Sequence, residues 1–128
     1  MASTRETVIA EGAPEAVGPY CHAVKAGGLL FCSGQIPLDA QTGELVGTTP
    51  AEQAERCLRN LETVCAAAGT SLERAVRCTV LLTDIGAFAD VNEVYGRFFG
   101  DDPPARVAYG VVALPKGAQV EIDAVVAL

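Results

Sequence analysis

Hydrophobic and polar residues recur along this chain with the spacings of strands and helices. Near the start, residues 6–10, 21–26 and 28–33 each predict a short strand. Gly27 and Gly28 join the second strand to the third, and two glycines suit the positive backbone φ angles of a tight hairpin turn. A loop rich in turn-forming residues follows. The chain is therefore predicted to open with three short strands.

The clearest predicted element is a helix that begins after Thr49. Thr49 is a suitable N-cap, Pro50 suits the first helical position, and Glu52 completes a capping box. Gly69 lies where the helix is expected to end. The hydrophobic residues between these limits recur at helical spacing and form one face: Ala54, Leu58, Leu61, Val64, Cys65 and Ala68.

The second half of the chain predicts a strand at 75–83, a helix at 85–99, and strands at 105–113 and 118–127. The order of elements is then βββαβαββ. Right-handed crossover connections place both helices on one face of the sheet. We therefore expect one α+β domain over residues 1–128, a two-layer sandwich of a six-stranded mixed sheet and two helices. One face of the first of these strands is expected to carry Val76, Cys78, Val80 and Leu82.

The last predicted strand is hydrophobic on both faces. Two helices cover only one face of the sheet, and a large uncovered hydrophobic face usually marks an interface. We therefore expect a homo-oligomer in which the uncovered faces pack together. The hydrophobic residues of this last strand are Val120, Ile122, Ala124 and Val126 on one face, and Val125 and Ala127 on the other.

Composition and charge narrow the classes of function. The chain has 128 residues and is 50% hydrophobic, which suffices for a core without disulfides or a metal. Its formal net charge is −7 and its basic residues are dispersed, so nucleic acid is not an expected partner. No hydrophobic run approaches the roughly 18 residues of a membrane span, so no membrane association is expected.

The cysteines and the single histidine exclude several kinds of site. Five cysteines without a CxxC pair argue against a disulfide framework, and most of them are expected to be buried thiols in a cytoplasmic protein. With His22 as the only histidine, a zinc site is not expected. Strand alternation separates Cys21 from His22, which excludes a catalytic dyad, and His22 is predicted to lie at the surface or a strand edge.

Arg106 is the main candidate for a ligand-binding residue. It opens an otherwise uncharged strand, and alternation places it on the same face as Ala108, Gly110 and Val112. Small neighbours leave room beside the guanidinium, whose planar fork suits a carboxylate. The alternative is a structural ion pair at a strand end, and the residues alone do not separate the two.

Other polar residues interrupt hydrophobic segments. Glu121 and Asp123 share one face of the last strand, where a carboxylate can act as a general base or orient a water molecule. The alternative is that one of them pairs with Arg106 and the other is solvated. Three further candidates are less specific: Tyr20 after a rigid turn, Ser33 at the end of a strand, and Asn92 within the hydrophobic part of the second helix.

Five motifs occur in a fixed order, and together they resemble the RidA/YjgF family. The resemblance covers the chain from about Ala13 to Leu128. The motifs are Gly18-Pro19-Tyr20, Ser33-Gly34-Gln35-Ile36-Pro37, Val91-Asn92-Glu93-Val94-Tyr95, Pro104-Ala105-Arg106, and Leu114-Pro115-Lys116-Gly117 followed by Val120-Glu121-Ile122.

The resemblance implies a chorismate-mutase-like fold and a homotrimer with sites in clefts between subunits. It also implies hydrolysis of reactive 2-enamine and 2-imino acids, such as 2-iminobutanoate and 2-iminopropanoate, to 2-oxo acids and ammonia, with no metal or other cofactor. In the family pattern, Arg106 would hold the substrate carboxylate and Glu121 would position the attacking water. The other residues that match the site are Tyr20, Ser33, Gly34 and Asn92.

The chain departs from the family pattern at three places. Ala108 stands where relatives often carry Cys or Thr, and the contact implied there is a backbone carbonyl to the imine nitrogen, which alanine retains. Tyr109 replaces a smaller residue, and alternation points it away from Arg106. Cys21-His22 replaces a more neutral pair and is expected to reshape the mouth of the pocket.

Two other functions stay open on the sequence. One is a non-catalytic trimer that binds small carboxylates or serves a partner in a biosynthetic pathway. The other is endoribonuclease activity, a description attached to part of the family. The net charge of −7 and the lack of a basic, aromatic-lined face argue against the second.

Overall fold

The structure, a computed structural model, describes residues 4–128, so the first three residues of the predicted domain lie outside the described residues. The described part confirms the predicted order βββαβαββ and the two-layer α+β architecture. The elements are β1 (Glu6–Val8), β2 (Ala23–Ala26), β3 (Leu29–Gln35), α1 (Pro50–Ala67), β4 (Ala75–Leu82), α2 (Phe88–Phe99), β5 (Ala105–Gly110) and β6 (Val120–Ala127).

The strands form one mixed sheet in the order β1-β2-β3-β6-β4-β5. β4 and β5 pair in parallel, while the other neighbouring strands pair antiparallel. Both helices contribute to one hydrophobic core on the same face of the sheet. Alternate residues of the central strand β6 point into that core and are buried: Val120, Ile122, Ala124 and Val126.

The start and end of α1 follow the sequence signals. The Thr49 side chain accepts a hydrogen bond from the Glu52 backbone N–H at 3.2 Å, and the Glu52 carboxylate accepts one from the Thr49 N–H at 3.1 Å. Pro50 occupies the first turn, where its missing N–H costs no helical hydrogen bond. Gly69 follows the helix with φ of 86°. The predicted capping box and glycine stop are both confirmed.

The hairpin at Gly27-Gly28 is also confirmed, with φ of 60° and 79° at the two glycines. Several strand limits were wrong. β1 ends at Val8 and β2 begins only at Ala23, because His22 turns inward to bind the backbone of a preceding loop. β3 continues to Gln35 through an irregularity in its pairing with β6.

The later elements were also predicted to be longer than they are. β5 ends at Gly110 because its neighbour β4 ends at Leu82, whose carbonyl accepts the Val111 N–H at 2.8 Å. α2 begins at Phe88 rather than 85, since Ile85–Ala87 form a separate 3-10 turn. Another 3-10 turn, at Pro115–Gly117, delays the start of β6 until Val120.

The sheet face opposite the helices is uncovered in the single chain. Phe31, Val107 and Tyr109 are exposed there, and Val125 is half-buried beside them. Val76 was wrongly predicted to share a face with Cys78: a pairing shift between β4 and β6 at this point leaves Val76 45% exposed, whereas Cys78 is buried. This uncovered hydrophobic face is the feature on which the expected self-association depends.

No helix within residues 4–128 is long and apolar enough to cross a membrane.

Candidate functional site

Arg106 lies on β5 with its side chain on the helix-covered face of the sheet. Its register partner on β4 is the buried Cys78, which fixes the direction of its side chain. The Arg106 Nη1 donates a 2.7 Å hydrogen bond to Asn92 Oδ1 on α2. Its guanidinium carbon also lies 5.1 Å from the centre of the Phe88 ring and 4.9 Å from that of Tyr95. One arginine is therefore held by three side chains of one helix.

Arg106 has no acidic partner within residues 4–128. The carboxylate of Asp123, one alternative partner, instead accepts the Thr79 backbone N–H at 3.1 Å. Glu121, the other alternative, lies on the opposite face of the sheet, as does Asp123. The structural ion pair considered for Arg106 is therefore wrong. Its positive charge is half-buried and available to an anionic ligand.

A second group of candidate residues lines a cleft of about 310 Å³ beside the end of β3 and the start of β6. Its polar groups come from Tyr20, Ser33 and Glu121. Its hydrophobic wall is formed by Val17, Ile36 and Pro115. The sequence did not identify this wall, because these three residues resemble ordinary core or loop residues. The cleft residues are Val17, Tyr20, Ser33, Gly34, Ile36, Pro115 and Glu121.

The loop before β2 carries Val17 and Tyr20, and His22 holds it in place. His22 is 5% exposed, so the prediction of a surface or edge position was wrong. Its Nδ1 accepts the Ala10 N–H at 2.8 Å, and its Nε2 donates to the Pro14 carbonyl at 2.7 Å. These two bonds require the neutral tautomer with the proton on Nε2. His22 thus serves as a buried link between strand and loop.

The floor of the cleft depends on Ser33 and Gly34 in β3. The Ser33 hydroxyl donates to the Cys21 carbonyl at 2.7 Å, which ties β3 to the loop. A Cβ added at Gly34 would overlap the carboxylate of Glu121. A side chain at position 34 would therefore displace the Glu121 carboxylate, the flexible end of its side chain, from its present place in the cleft.

Glu121 is the titratable group of the cleft with an altered environment. Its carboxylate makes no hydrogen bond within residues 4–128 and is half-buried. Burial, together with the nearby charge of Asp123, raises the pKa of Glu121 above its ordinary value. A carboxylate kept partly desolvated and without a fixed partner is suited to accepting a proton or hydrogen bond from water.

The two groups of residues are far apart within one chain. Arg106 is in register with Cys78 and Glu121 with Leu81, three residues further along β4, which lies between β5 and β6. Three residues and two strand spacings separate their Cα atoms by about 14 Å, and their side chains point to opposite faces. A single chain therefore does not bring Arg106 and Glu121 to one small molecule.

Of the residues predicted to share a strand face with Arg106, not all lie there. Ala108 is half-buried on that face and packs against the core. Val112 lies beyond the end of β5 and is fully exposed, so its predicted alignment with Arg106 was wrong. Tyr109 points to the uncovered face, away from Arg106, as predicted.

Phe88 and Tyr95 are the neighbours of Arg106 that sequence reasoning missed. Both fit the hydrophobic pattern of the second helix, and neither was assigned a role in the site. Their spacing with Asn92 places all three on one side of the helix, and this pattern was the available signal. Within the described residues, no group of three or more His, Cys, Asp or Glu side chains is arranged to hold a metal ion.

Comparisons with known proteins agree over almost the whole chain. A family model described as endoribonuclease L-PSP matches residues 10–128. The RutC family protein y4sK of Sinorhizobium fredii is 55% identical over 96% of this chain and 98% of its own. The human 2-iminobutanoate/2-iminopropanoate deaminase is 44% identical over 94% of this chain and 88% of its own. The crystal structure of Escherichia coli TdcF with bound serine superposes with a TM-score of 0.90 at 37% identity, covering 96% of this chain and 98% of TdcF.

Proposed function

Because the chain belongs to the YjgF/RidA family, we propose that it hydrolyses reactive 2-imino acids and their 2-enamine tautomers to 2-oxo acids and ammonia. Its substrates in this proposal are small, such as 2-iminobutanoate and 2-iminopropanoate. The observation that carries the proposal is Arg106, a half-buried guanidinium without an acidic partner in residues 4–128, held by Asn92 and two aromatic rings.

Arg106 supplies the binding half of the site. Its Nη1 is already bound to Asn92, which leaves the other donors of the guanidinium fork for a carboxylate. A 2-imino acid carries its carboxylate on the carbon next to the reacting carbon, so gripping it also fixes the imine. TdcF, which was crystallised with serine, offers a precedent in the family for a small ligand with a carboxylate.

Glu121 supplies the water-directing half of the site. Water adds its oxygen to the imine carbon and gives up a proton, and the resulting carbinolamine loses ammonia as the C–N bond breaks and the carbonyl forms. A protonated imine reacts with water without a metal or organic cofactor, so the proposal needs none. The raised pKa of Glu121 suits a group that accepts a proton from the attacking water and returns it to the leaving nitrogen.

The separation of the two halves supports a shared site. We propose a homotrimer in which the cleft of one subunit lies against β5 and α2 of its neighbour. The uncovered hydrophobic face gives such an assembly its driving force, and each subunit then contributes both halves to different sites. This arrangement puts Arg106 of one copy beside Tyr20, Ser33 and Glu121 of another.

RNA cleavage, the activity named in the description of the matching family model, fits this chain less well. The net charge of −7 repels a phosphate backbone, and the cleft is lined largely by hydrophobic residues rather than by lysine and arginine. The same cleft suits a small substrate that has an apolar side chain next to its carboxylate.

The direct test generates 2-iminobutanoate in situ by amino acid oxidation and follows its loss with and without the protein. We expect loss well above the spontaneous rate, with 2-oxobutanoate and ammonia formed in equal amounts. Binding of 2-oxobutanoate without acceleration of imine loss would favour a non-catalytic carboxylate-binding protein and would overturn the proposed reaction.

The pH dependence provides a test specific to Glu121. If its carboxylate must be ionised to accept a proton, kcat/KM falls as the pH drops through its raised pKa, which lies above the ordinary glutamate value of about 4.3. The measurement is kcat/KM against pH, after subtraction of the spontaneous rate. Asp123→Asn removes a charge that raises this pKa, so its acid limb should move to lower pH. Glu121→Gln should lose the limb, and an unchanged limb in both variants would exclude Glu121.

A further inference from the structure

We infer that Phe88 and Tyr95 are positioning residues that fix the Arg106 guanidinium for carboxylate binding, an inference that rests on the proposed function. Both rings lie within cation–π distance of the guanidinium, 5.1 Å for Phe88 and 4.9 Å for Tyr95. Neither residue hydrogen-bonds Arg106, and in this inference neither touches the substrate. They act by restricting where the arginine can point.

The arrangement on α2 explains how three side chains hold one arginine. Phe88, Asn92 and Tyr95 are separated by four and three residues, so they lie along one side of the helix. Asn92 fixes one edge of the guanidinium through its 2.7 Å bond to Nη1. The two rings restrict the orientation of the guanidinium plane. An arginine side chain has many rotamers, and a ligand that binds a mobile one must first order it. Fixing it in advance removes that cost.

The aromatic ring of Tyr95, rather than its hydroxyl, is the part that contacts Arg106. The Tyr95 Oη is buried and makes no well-formed hydrogen bond within residues 4–128. Its polar neighbour is the Cys78 thiol, a weak partner, and burial raises the pKa of the phenol. A phenylalanine at this position would therefore retain the contact with Arg106 and remove a buried polar group.

The same helix supplies a matched control. Phe98 also carries an arginine over its ring, with the Arg59 guanidinium carbon 4.7 Å from the centre. Arg59 is exposed and bound to Glu62 at 3.0 Å, so it belongs to the surface rather than to the candidate site. Phe98→Leu therefore removes an arginine–aromatic contact of the same kind from α2 without touching Arg106.

The test compares Phe88→Leu and Tyr95→Leu with the ring-retaining variants Phe88→Tyr and Tyr95→Phe. Because the leucine variants keep Arg106 and Asn92, a substrate that does bind should still be positioned, so the loss of preorganisation should raise KM and leave kcat within about twofold. Each leucine variant should raise KM for 2-iminobutanoate and Kd for 2-oxobutanoate by about 3- to 30-fold. The ring-retaining variants and Phe98→Leu should stay near wild type.

A second readout does not depend on turnover. The Arg106 Nε–H signal in a ¹⁵N NMR spectrum, assigned with Arg106→Lys, should broaden or shift to the position of a mobile arginine in the leucine variants only. Leucine variants that are folded and keep both wild-type Kd and a wild-type Arg106 signal would overturn the inference. If wild type binds 2-oxobutanoate but does not accelerate imine loss, the deaminase proposal fails alone, and Kd still decides the role of the rings. If wild type binds no 2-oxo acid, the carboxylate role of Arg106 fails and the inference fails with it.

Discussion

Arg106→Ala is expected to reduce kcat/KM for 2-iminobutanoate hydrolysis by about 100-fold or more, since in the proposed site it removes two charge-assisted hydrogen bonds to the substrate carboxylate. The loss should be larger than any other single substitution produces, because without this contact neither the carboxylate nor the adjacent imine carbon is positioned. The measurement is the enzyme-dependent rate of imine loss together with the Kd of 2-oxobutanoate.

One variant separates the shape of the guanidinium from its charge, and a second serves as a control. Arg106→Lys keeps the positive charge but loses the planar fork, so its activity should lie between those of wild type and Arg106→Ala. Arg97→Ala removes another arginine near the end of α2 whose partner is the exposed Glu93, at 3.3 Å, and should leave kcat/KM unchanged. Equal activity in wild type and Arg106→Ala would exclude Arg106 from the reaction.

Local sequence signals predicted the fold well where the deciding interactions are also local. The capping box at Thr49 and the paired glycines at 27 and 28 depend only on near neighbours, and both are present. The end of β5 could not be predicted in this way. Residues 111–113 continue a strand-like pattern, yet the strand ends at Gly110 because the neighbouring β4 has no further residues to pair with.

The candidate site shows the same limit at a larger scale. Alternation correctly grouped Arg106 with Ala108, and Glu121 with Asp123. It did not reveal that the two pairs lie on opposite faces of the sheet, because the relative phase of two strands is set by their register with β4. His22 was misplaced for a related reason: its buried role depends on the backbone of residues 10 and 14, which strand alternation does not describe.

The separation of Arg106 from Glu121 leads to the second large expected effect. If the site is shared between subunits as proposed, Arg106→Ala and Glu121→Gln should each be nearly inactive when assembled alone, but a mixture of the two should recover activity. A site that takes its arginine half from the Glu121→Gln chain and its glutamate half from the Arg106→Ala chain has both wild-type residues. If equal amounts of the two chains assemble at random and each site joins two chains, about a quarter of all sites have this composition.

The chain also provides a control that isolates the geometry. Asn92 and Arg106 lie in the same half of the site, joined by the 2.7 Å bond to Nη1. Mixtures of Arg106→Ala with Asn92→Ala should therefore recover no activity. Whichever two chains form a site, its arginine half carries one of the two substitutions. The experiment uses two differently tagged chains, co-refolded and purified through both tags, with kcat normalised to total sites. This purification removes the homotrimers and so raises the expected share of competent sites from about a quarter to about a third. Recovery in the first mixture and none in the second is the expected result. No recovery in either would place the whole reaction within one chain, which the separation of about 14 Å and the opposite faces of Arg106 and Glu121 argue against.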